Sequence, residues 1–466
     1  MYKPTIGIEV HAFLTSETKV FSNSKNEYSD TPNVFVNERD LGMPGVLPVL
    51  NEKVIDMALS AALALNCKIN KEMHFDRKNY FYPDLPKGYQ ITQNKTPIGY
   101  DGFITINVNG TTKNIRIERI HIEEDTCKSI HKGDETLLNF NRAGSPLVEI
   151  VTKPDISNEE EAMLYVKELR DILLYLGISD VKMEEGSLRC DANISISKDE
   201  SLGTKVEVKN IGSITNVKNA ILYEIKRQQS VLESGGSIVE ETRRYDDATK
   251  STISMRVKET NNDYRYFPEP DIPKVVLSNE KIDDIKKGMP KLPSAIKKEF
   301  SDIGINDKTI EALILNKELT EVVLKLDKKL PLVKAANILT GEIQSYLNDN
   351  NLNLNETKFD LKRFEEVLGM LLASEISSKN IKEIIPLMLS TNDSIESMGI
   401  KQVSDEGALQ ESIDKVLNNN ESAVLDFKSG NDKSFKFLMG QVMKETKGQA
   451  NPSLASKLLM ESLKNK

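Results

Sequence analysis

Residues 113–125 read KNIRIERIHIEED. Apolar and polar residues alternate there with the period of a β-strand. A second alternating segment, FITINVNG (103–110), precedes it, and Gly, Asn and Asp turn signals separate the two. Together they predict a strand-rich region. Its oddity is HIEEDTCK (121–128), with three carboxylates in a row beside a histidine. Like charges that close repel one another. Either the strand is a solvated edge, or something positive sits against it.

The chain has 466 residues, enough for two to four domains. With 39% hydrophobic and 29% charged residues it reads as globular and too charged for a membrane protein. No apolar run reaches the length of a membrane span, and MYKPTIGIEV lacks the apolar segment of a signal peptide, so a cytoplasmic location is expected. Cys67, Cys127 and Cys190 are odd in number and far apart, which suggests neither a disulfide framework nor a Cys-x-x-Cys zinc site. The net charge of -9 leaves RNA binding open, because a local basic patch counts for more than the total. Walker-type phosphate loops, kinase catalytic loops, H-E-x-x-H and G-x-S-x-G are all absent. If the protein uses ATP, it does not hold it on a P-loop.

To about residue 290 short strands alternate with helices. NEKVIDMALSAALALN (51–66) places Val54, Met57, Ala58, Ala61, Ala62 and Leu65 on one stripe, and 158–177 starts acidic and ends at Gly177. After the Pro-punctuated RYFPEPDIPK (265–274) the pattern becomes helical, with an Asn-rich break at 346–360 and another boundary near 398–407. In the tail, Lys436, Lys444, Lys447, Lys457, Lys464 and Lys466 outnumber Glu445 and Glu461. That is either a solvated helix face or a contact for RNA.

Four strands pair an apolar face with a face bearing carboxylates. In IGIEVHAFL (6–14), Glu9 and His11 share a face opposite Ile8 and Val10. In RIHIEEDTCK, His121, Glu123 and Asp125 point one way, and Glu124 falls with Ile120 and Ile122. In 184–197, Arg189, Asp191 and Asn193 oppose Cys190, Ala192, Ile194 and Ile196. In 204–213, Glu207 and Lys209 oppose Val206 and Val208. One such strand is ordinarily just solvated. Four of them, if neighbours in one sheet about 5 Å apart, would need a cation. Oxygen ligands with one imidazole suit Mg²⁺ or Mn²⁺ better than zinc, and Arg189 and Lys209 would then neutralise phosphate. The spacing alone does not make the strands neighbours. In FDRKNYFYPDLPKGYQITQ (75–93) most residues read as a structured aromatic loop, although Lys78 or Lys87 is placed to line a polar passage or meet the carboxylates.

IGIEVH, LGMPGVLPVLN, DRKNYFYPDLPKGYQITQ, HIEEDTCKS, NRAGSPLVEIVTKPD, VKMEEGSLRCDANISI, VEVKN, RYFPEPDIP and MKETKGQANP together resemble the B subunits of the glutamyl/aspartyl-tRNA amidotransferases (GatB, of the GatCAB complex). The resemblance runs from residue 6 to the tail. It implies an α+β fold: a glutamine synthetase-like cradle domain with a mixed or antiparallel sheet (1–290), a helical domain (291–400) and a small YqeY-like tail that contacts tRNA (401–466). It implies a carbon–nitrogen ligase with glutamine as amido donor. A glutaminase A subunit, in a heterotrimer with a small C subunit, would supply ammonia through a tunnel. The chain itself would phosphorylate the side-chain carboxylate of mischarged Glu-tRNA(Gln) or Asp-tRNA(Asn) with ATP and Mg²⁺, one or two ions. The family's metal ligands carry over onto Glu9, His11, Glu123, Glu124, Asp191 and Glu207. Lys87 and Glu124 match the mouth of the tunnel. Arg189 and Lys209 lie in matched motifs, and catalytic and ATP-binding roles are assigned to both from their charge beside the carboxylates, not from the resemblance. Because the resemblance uses both Glu123 and Glu124, a bulge or strand end is expected there.

The chain departs from the family at three places. Asn37, Glu38, Arg39 and Asp40 stand where many members carry Cys-Pro-x-Cys, so no zinc is expected. Asn139 replaces an Asp and Gly212 an Asn; neither is a ligand position, and both bear on the geometry around the ligands. The rival readings are a non-catalytic tRNA-binding subunit, the archaeal-type relative (GatE), whose inserted domain finds no room here, and a ligase acting on free amino acids, which would not need the basic tail.

Overall fold

The strand that holds KNIRIERIHIEE runs from Thr111 to Glu124, inside a nine-stranded sheet. The computed structural model describes residues 2–199, 201–257, 264–395, 397, 406–428, 431–446, 450 and 452–465. The chain divides into two units, Met1–Pro293 and Ser294–Lys466.

The first unit's strands include β1 (Lys3–Phe13), β2 (Lys68–Ile69), β3 (Asp76–Asn79), β4 (Tyr89–Thr92), β5 (Gly99–Val108), β6 (Thr111–Glu124), β7 (Pro146–Thr152), β8 (Leu188–Ser197), β9 (Val206–Ile211), β10 (Glu241–Asp246) and β11 (Ser251–Val257). The large sheet has the order β11-β10-β9-β8-β1-β7-β6-β5-β2. Every pairing is antiparallel except β9 with β10. The mixed sheet expected from the resemblance is therefore present. β3 and β4 form a separate small sheet with Phe267–Pro268. Asn109 and Gly110, with φ of 51° and 85°, close the β5–β6 hairpin between the paired Val108 and Thr111. Two left-handed residues are what a type I′ turn needs.

One face of the sheet is apolar. Ile6, Ile8, Val10 and Ala12 of β1 alternate inward, as do Cys190, Ala192, Ile194 and Ile196 of β8. Burying each of the larger of these side chains contributes about 1.5–3 kcal/mol. Helices α1 (Glu52–Ala64), α2 (Glu159–Leu176) and α3 (Ile214–Glu233) pack on this side. Val54, Ala58, Ala61 and Ala62 of the expected α1 stripe are buried, while Met57 is only partly so. In α2, Asn158 caps the amides of Glu160 and Glu161, three acids occupy the first turn, and Gly177 ends the helix at φ 70°.

The pleat of β6 changes phase once. Ile115 and Ile117 face the core, and so do Ile120 and Ile122. The register against β7 slips between Val151↔Arg119 and Thr152↔Ile117. This bulge turns His121 and Glu123 away from the core. From Arg119 to Glu124 the pairing is then regular.

Among its described residues the second unit contains helices and no strands, from Pro293–Asp302 to Pro452–Asn465. Asn306, Asn316 and Asp360 cap the helices that follow them. In the Asn-rich break, Asn351 at φ 52° ends Gln344–Asn350. Leu409, Ile413, Leu438, Val442, Leu459 and Leu463 form a C-terminal core. Residues 398–405 of the expected boundary lie outside the described residues.

Candidate active site

The polar face of the sheet gathers charge by register. Glu9 pairs with Asp191 across β1 and β8, and His11 pairs with Glu149 across β1 and β7. Glu149 in turn pairs with His121 of β6. The sheet therefore sets His121, Glu149 and His11 in one row across three strands, with Glu9 and Asp191 one repeat further along.

Side chains in this row touch. His11 Nε2 lies 3.3 Å from Glu149 Oε2, 3.5 Å from Glu123 Oε1 and 3.8 Å from Glu9 Oε1. His121 Nε2 lies 3.3 Å from the same Glu149 oxygen and 3.7 Å from Glu123. Two groups, Glu9–His11–Asp191 and His11–Glu123–Glu149, each bring ligand atoms within 4.8 Å of one another. Burial opposes a charged His11, but the hydrogen bond and charge of Glu149, with Glu123 and Glu9, raise it to about 9. His121 rises to about 9 as well, against burial, through the charges of Glu149 and Glu123 and its hydrogen bonds to them. Burial also works against a charged Glu149, yet the two imidazoles hold it well below the usual carboxylate range. Glu9 is pushed up to about 7 by burial and by Glu149.

Lys209 Nζ donates to Asp191 at 2.6 Å and lies 3.4 Å from Glu207. Glu207 also accepts from Thr242 Oγ1 at 2.9 Å, so it joins the cluster through Lys209. Arg189 reaches Asp125, at 3.0 Å, rather than the acidic row. Above the face, the Lys78 ammonium sits 4.8 Å from the centre of the Tyr264 ring. Burial disfavours that charge, but Tyr266, Glu123 and Glu149 keep it raised.

Glu124 stands apart from the rest of the expected ligand set. Of the two breaks expected at Glu123 and Glu124, the strand end is present, since β6 stops at Glu124, and the bulge is not, since the register is regular up to that residue. Glu124 therefore follows Ile120 and Ile122 to the opposite face. There its Oε2 accepts from Lys87 Nζ at 2.6 Å and its Oε1 from the Ile91 amide at 2.9 Å. The surroundings are polar, but they are not those of Glu123. A cavity of about 110 Å³ adjoins the pair, walled by Asp40, Gly42, Met43, Leu47 and Tyr89. Gly42, at φ 63°, lets the backbone approach Lys87, since a Cβ there would stand 2.7 Å from Lys87 Cγ. A larger cavity of about 620 Å³ lies by Lys68, Asp101 and Arg116, but its bases are paired with Asp101, Glu161 and Asp155 and it contains none of the clustered carboxylates.

Segment 37–40 is held by charge. Asp40 accepts from Ser22 and Ser24, each at 2.6 Å, and lies 3.3 Å from the fully buried Lys19 ammonium. Asn139 Oδ1 accepts from the amides of Asn33 and Asn141. A Cβ on Gly212 would meet open space. In the tail, Lys436, Lys444, Lys457 and Lys464 are exposed, while Lys447 and Lys466 lie outside the described residues.

The family description "GatB/GatE catalytic domain" matches residues 4–283, which include the whole acidic face. The chain belongs to the GatB family. A second description, "GatB domain", matches residues 317–463. The B subunit of the "Aspartyl/glutamyl-tRNA(Asn/Gln) amidotransferase" of Limosilactobacillus reuteri is 46% identical over 476 residues, covering 100% of both chains. The proteins of that name from Enterococcus faecalis and Brevibacillus brevis are 44% and 45% identical, each over 99% of both chains.

Within this GatB chain the sequence reading missed Glu149 and passed over His121 as a ligand. Glu149 carries a signal in hindsight: it is the lone charge in PLVEIV, a strand apolar at every other position. No comparable signal marks Arg142, which shares Asp125 with Arg189.

Proposed function

We propose that this chain activates the side-chain carboxylate of mischarged Glu-tRNA(Gln) or Asp-tRNA(Asn) with ATP and transfers ammonia to it, as the B component of a three-subunit amidotransferase. The observation that carries this reading is the row His121–Glu149–His11, with Glu9, Asp191 and Glu123 around it on one sheet face. Carboxylate oxygens with one or two imidazoles fit Mg²⁺, and a buried His121 Nδ1 without a partner among the described residues adds a polar atom in need of one. Glu9, His11, Glu123, Glu149 and Asp191 would hold one or two such ions, with Glu207 behind Lys209. Such an ion would supply charge neutralisation at the transferred phosphoryl group. A carboxylate is a poor acyl donor, because oxide would have to leave. Attack of its oxygen on the γ-phosphorus expels ADP and creates an acyl phosphate. Ammonia then adds at the acyl carbon and phosphate departs. Lys209 and Arg189 offset negative charge beside this site.

The Lys87–Glu124 pair, on the other face beside a small cavity, suits the point where ammonia from a glutaminase partner enters. The exposed lysines of the last two helices suit contact with tRNA. Among the described residues no helix is long and apolar enough to cross a membrane; the proposed role in translation places the protein in the cytoplasm. End-to-end similarity to relatives named as aspartyl/glutamyl-tRNA amidotransferase components favours this over the archaeal-type assignment. The deciding measurement is amidation by the assembled complex with each mischarged tRNA, with glutamine or ammonium as donor. Formation of amide and ADP together supports the reading. Binding of tRNA with no ATP cleavage would leave only a tRNA-binding role.

A further inference from the structure

Beyond the acidic row, the same face carries a second charged assembly. Asp125 is buried, and its two oxygens are taken by two arginines. Arg142 Nε donates to Oδ2, and Arg189 Nη2 donates to Oδ1 at 3.0 Å. Both guanidinium groups lie over the ring of Phe13, at 4.5 Å for Arg142 and 5.6 Å for Arg189. The second donor of Arg142, Nη2, makes only a long bond of 3.4 Å to the Gly186 carbonyl.

Two cations thus meet one carboxylate, and one positive charge is left over. The Asp125 side chain is 6% exposed, while Arg142 and Arg189 are 32% and 40% exposed. Neither Nη1 has a partner among the described residues, and Arg189 Nε is enclosed without one. Guanidinium donors without acceptors at the rim of a site are open to an anion. Phe13 fixes the planes of both groups, so their free edges are held in place before any ligand arrives.

The register sets the distance. Phe13 lies two residues beyond His11 on β1, and Asp125 two residues beyond Glu123. Two residues along a strand span about 7 Å. The arginine pair is therefore one strand repeat from the carboxylate cluster, on the same face.

We propose that Arg142 and Arg189 form a two-arginine clamp for the transferred phosphoryl group, with Asp125 and Phe13 as its positioning residues. The inference rests on the ATP-dependent reading above and adds Arg142 to it. No bond forms to either arginine. The substrate carboxylate oxygen bonds to the γ-phosphorus while the bridging P–O bond breaks and its electron pair leaves with ADP. The clamp holds the phosphoryl oxygens through this transfer and then the phosphate of the acyl intermediate.

The test uses the assembled three-subunit complex with ammonium as nitrogen donor, so that glutaminase activity does not enter. Arg142→Gln is expected to lower kcat/KM for ATP by roughly 100-fold. KM for the mischarged tRNA should stay within about two-fold of wild type, because the only substrate contact removed is the one to the phosphoryl group. Arg142→Lys keeps a cation on Asp125 but cannot present a planar fork, so it should recover only part of the loss. Added guanidinium ion, at millimolar concentration, should partly rescue Arg142→Ala. A role in holding Asp125 alone would be met in full by Arg142→Lys. Unchanged kcat/KM for ATP in Arg142→Lys and in folded Arg142→Gln overturns the clamp. Amide formation without ATP in the wild-type complex overturns the wider reading instead.

Discussion

His11 and Glu149 face each other across β1 and β7, with Nε2 3.3 Å from Oε2. The same carboxylate oxygen lies 3.3 Å from His121 Nε2. One buried acid therefore orients two imidazoles, and its charge sets the protonation of both. Glu149→Gln removes that charge with little change in shape. The expected outcome is a 10- to 100-fold loss of ATP-dependent, ammonium-supported amidation, the size typical for loss of a metal ligand's support. Circular dichroism should show the fold retained. Full activity in a folded Glu149→Gln complex would remove Glu149 from the site.

The raised histidines make a prediction about pH. In the metal-free protein His11 and His121 keep their protons up to about 9, well above the ordinary 6.5. Glu9 keeps its proton to about 7 instead of 4.5. Between about pH 4.5 and 9 the folded state therefore binds more protons than the unfolded one, and metal-free stability falls as pH rises. The stabilisation from the histidine charges is complete below pH 6.5 and is lost as pH passes through about 9. A cation that takes His11 must displace a proton, so its binding has the opposite trend. Mg²⁺ affinity should rise about tenfold per pH unit from pH 7 to 9 for one proton released. Calorimetry in two buffers of different ionisation enthalpy counts the protons. A pH-independent affinity with no proton release would show that His11 is not a ligand.

Glu124 separates two roles that its neighbour makes easy to confuse. It lies on the face opposite Glu123, bonded to Lys87. Glu124→Gln should leave tRNA-dependent formation of ADP within about threefold of wild type. Amide formation should fall about 100-fold, the scale of a lost proton-handling group. Glutaminase activity of the partner should not change. Equal loss of ADP and amide would return Glu124 to the phosphorylation site.

The bulge that places His121 and Glu123 lies earlier in the strand than the break expected at Glu123 and Glu124, although the sequence carries its signal. In NIRIERIHI the isoleucines shift phase between Ile117 and Ile120, two charged residues standing between them. A strict two-residue period read from Ile115 would have put His121 and Glu123 in the core. The alternation of the other three acidic strands was equally plain, because each has one wet and one dry face. The adjacency of β9, β8 and β1, and the insertion of β7 between β1 and β6, were not. They depend on long-range pairing that local pattern does not encode, which is why Glu149 escaped notice. Lys19 escaped for a related reason. In LTSETKVFS it reads as an ordinary surface lysine, and only the fold brings Asp40 and the Phe35 carbonyl onto its ammonium.

That buried pair yields a prediction about stability. Lys19 is fully buried, and burial draws its ammonium below its ordinary range, against the pull of Asp40. Asp40→Ala would leave the ammonium enclosed with only backbone carbonyls, and would strand the hydroxyls of Ser22 and Ser24. Removing one partner of a buried pair costs about 3–5 kcal/mol. Replacing both partners by apolar residues is far milder, so Lys19→Met with Asp40→Leu should recover most of the loss. Urea unfolding of the two variants against wild type measures the difference. The single variant should also loosen the 37–42 turn against Lys87, because Gly42 packs on its side chain. Faster amide exchange at residues 37–42 in Asp40→Ala, reversed in the double variant, would show that the ion pair holds the wall of the Glu124 cavity. A loss under about 1 kcal/mol in Asp40→Ala would mean that Lys19 finds water when its partner is gone.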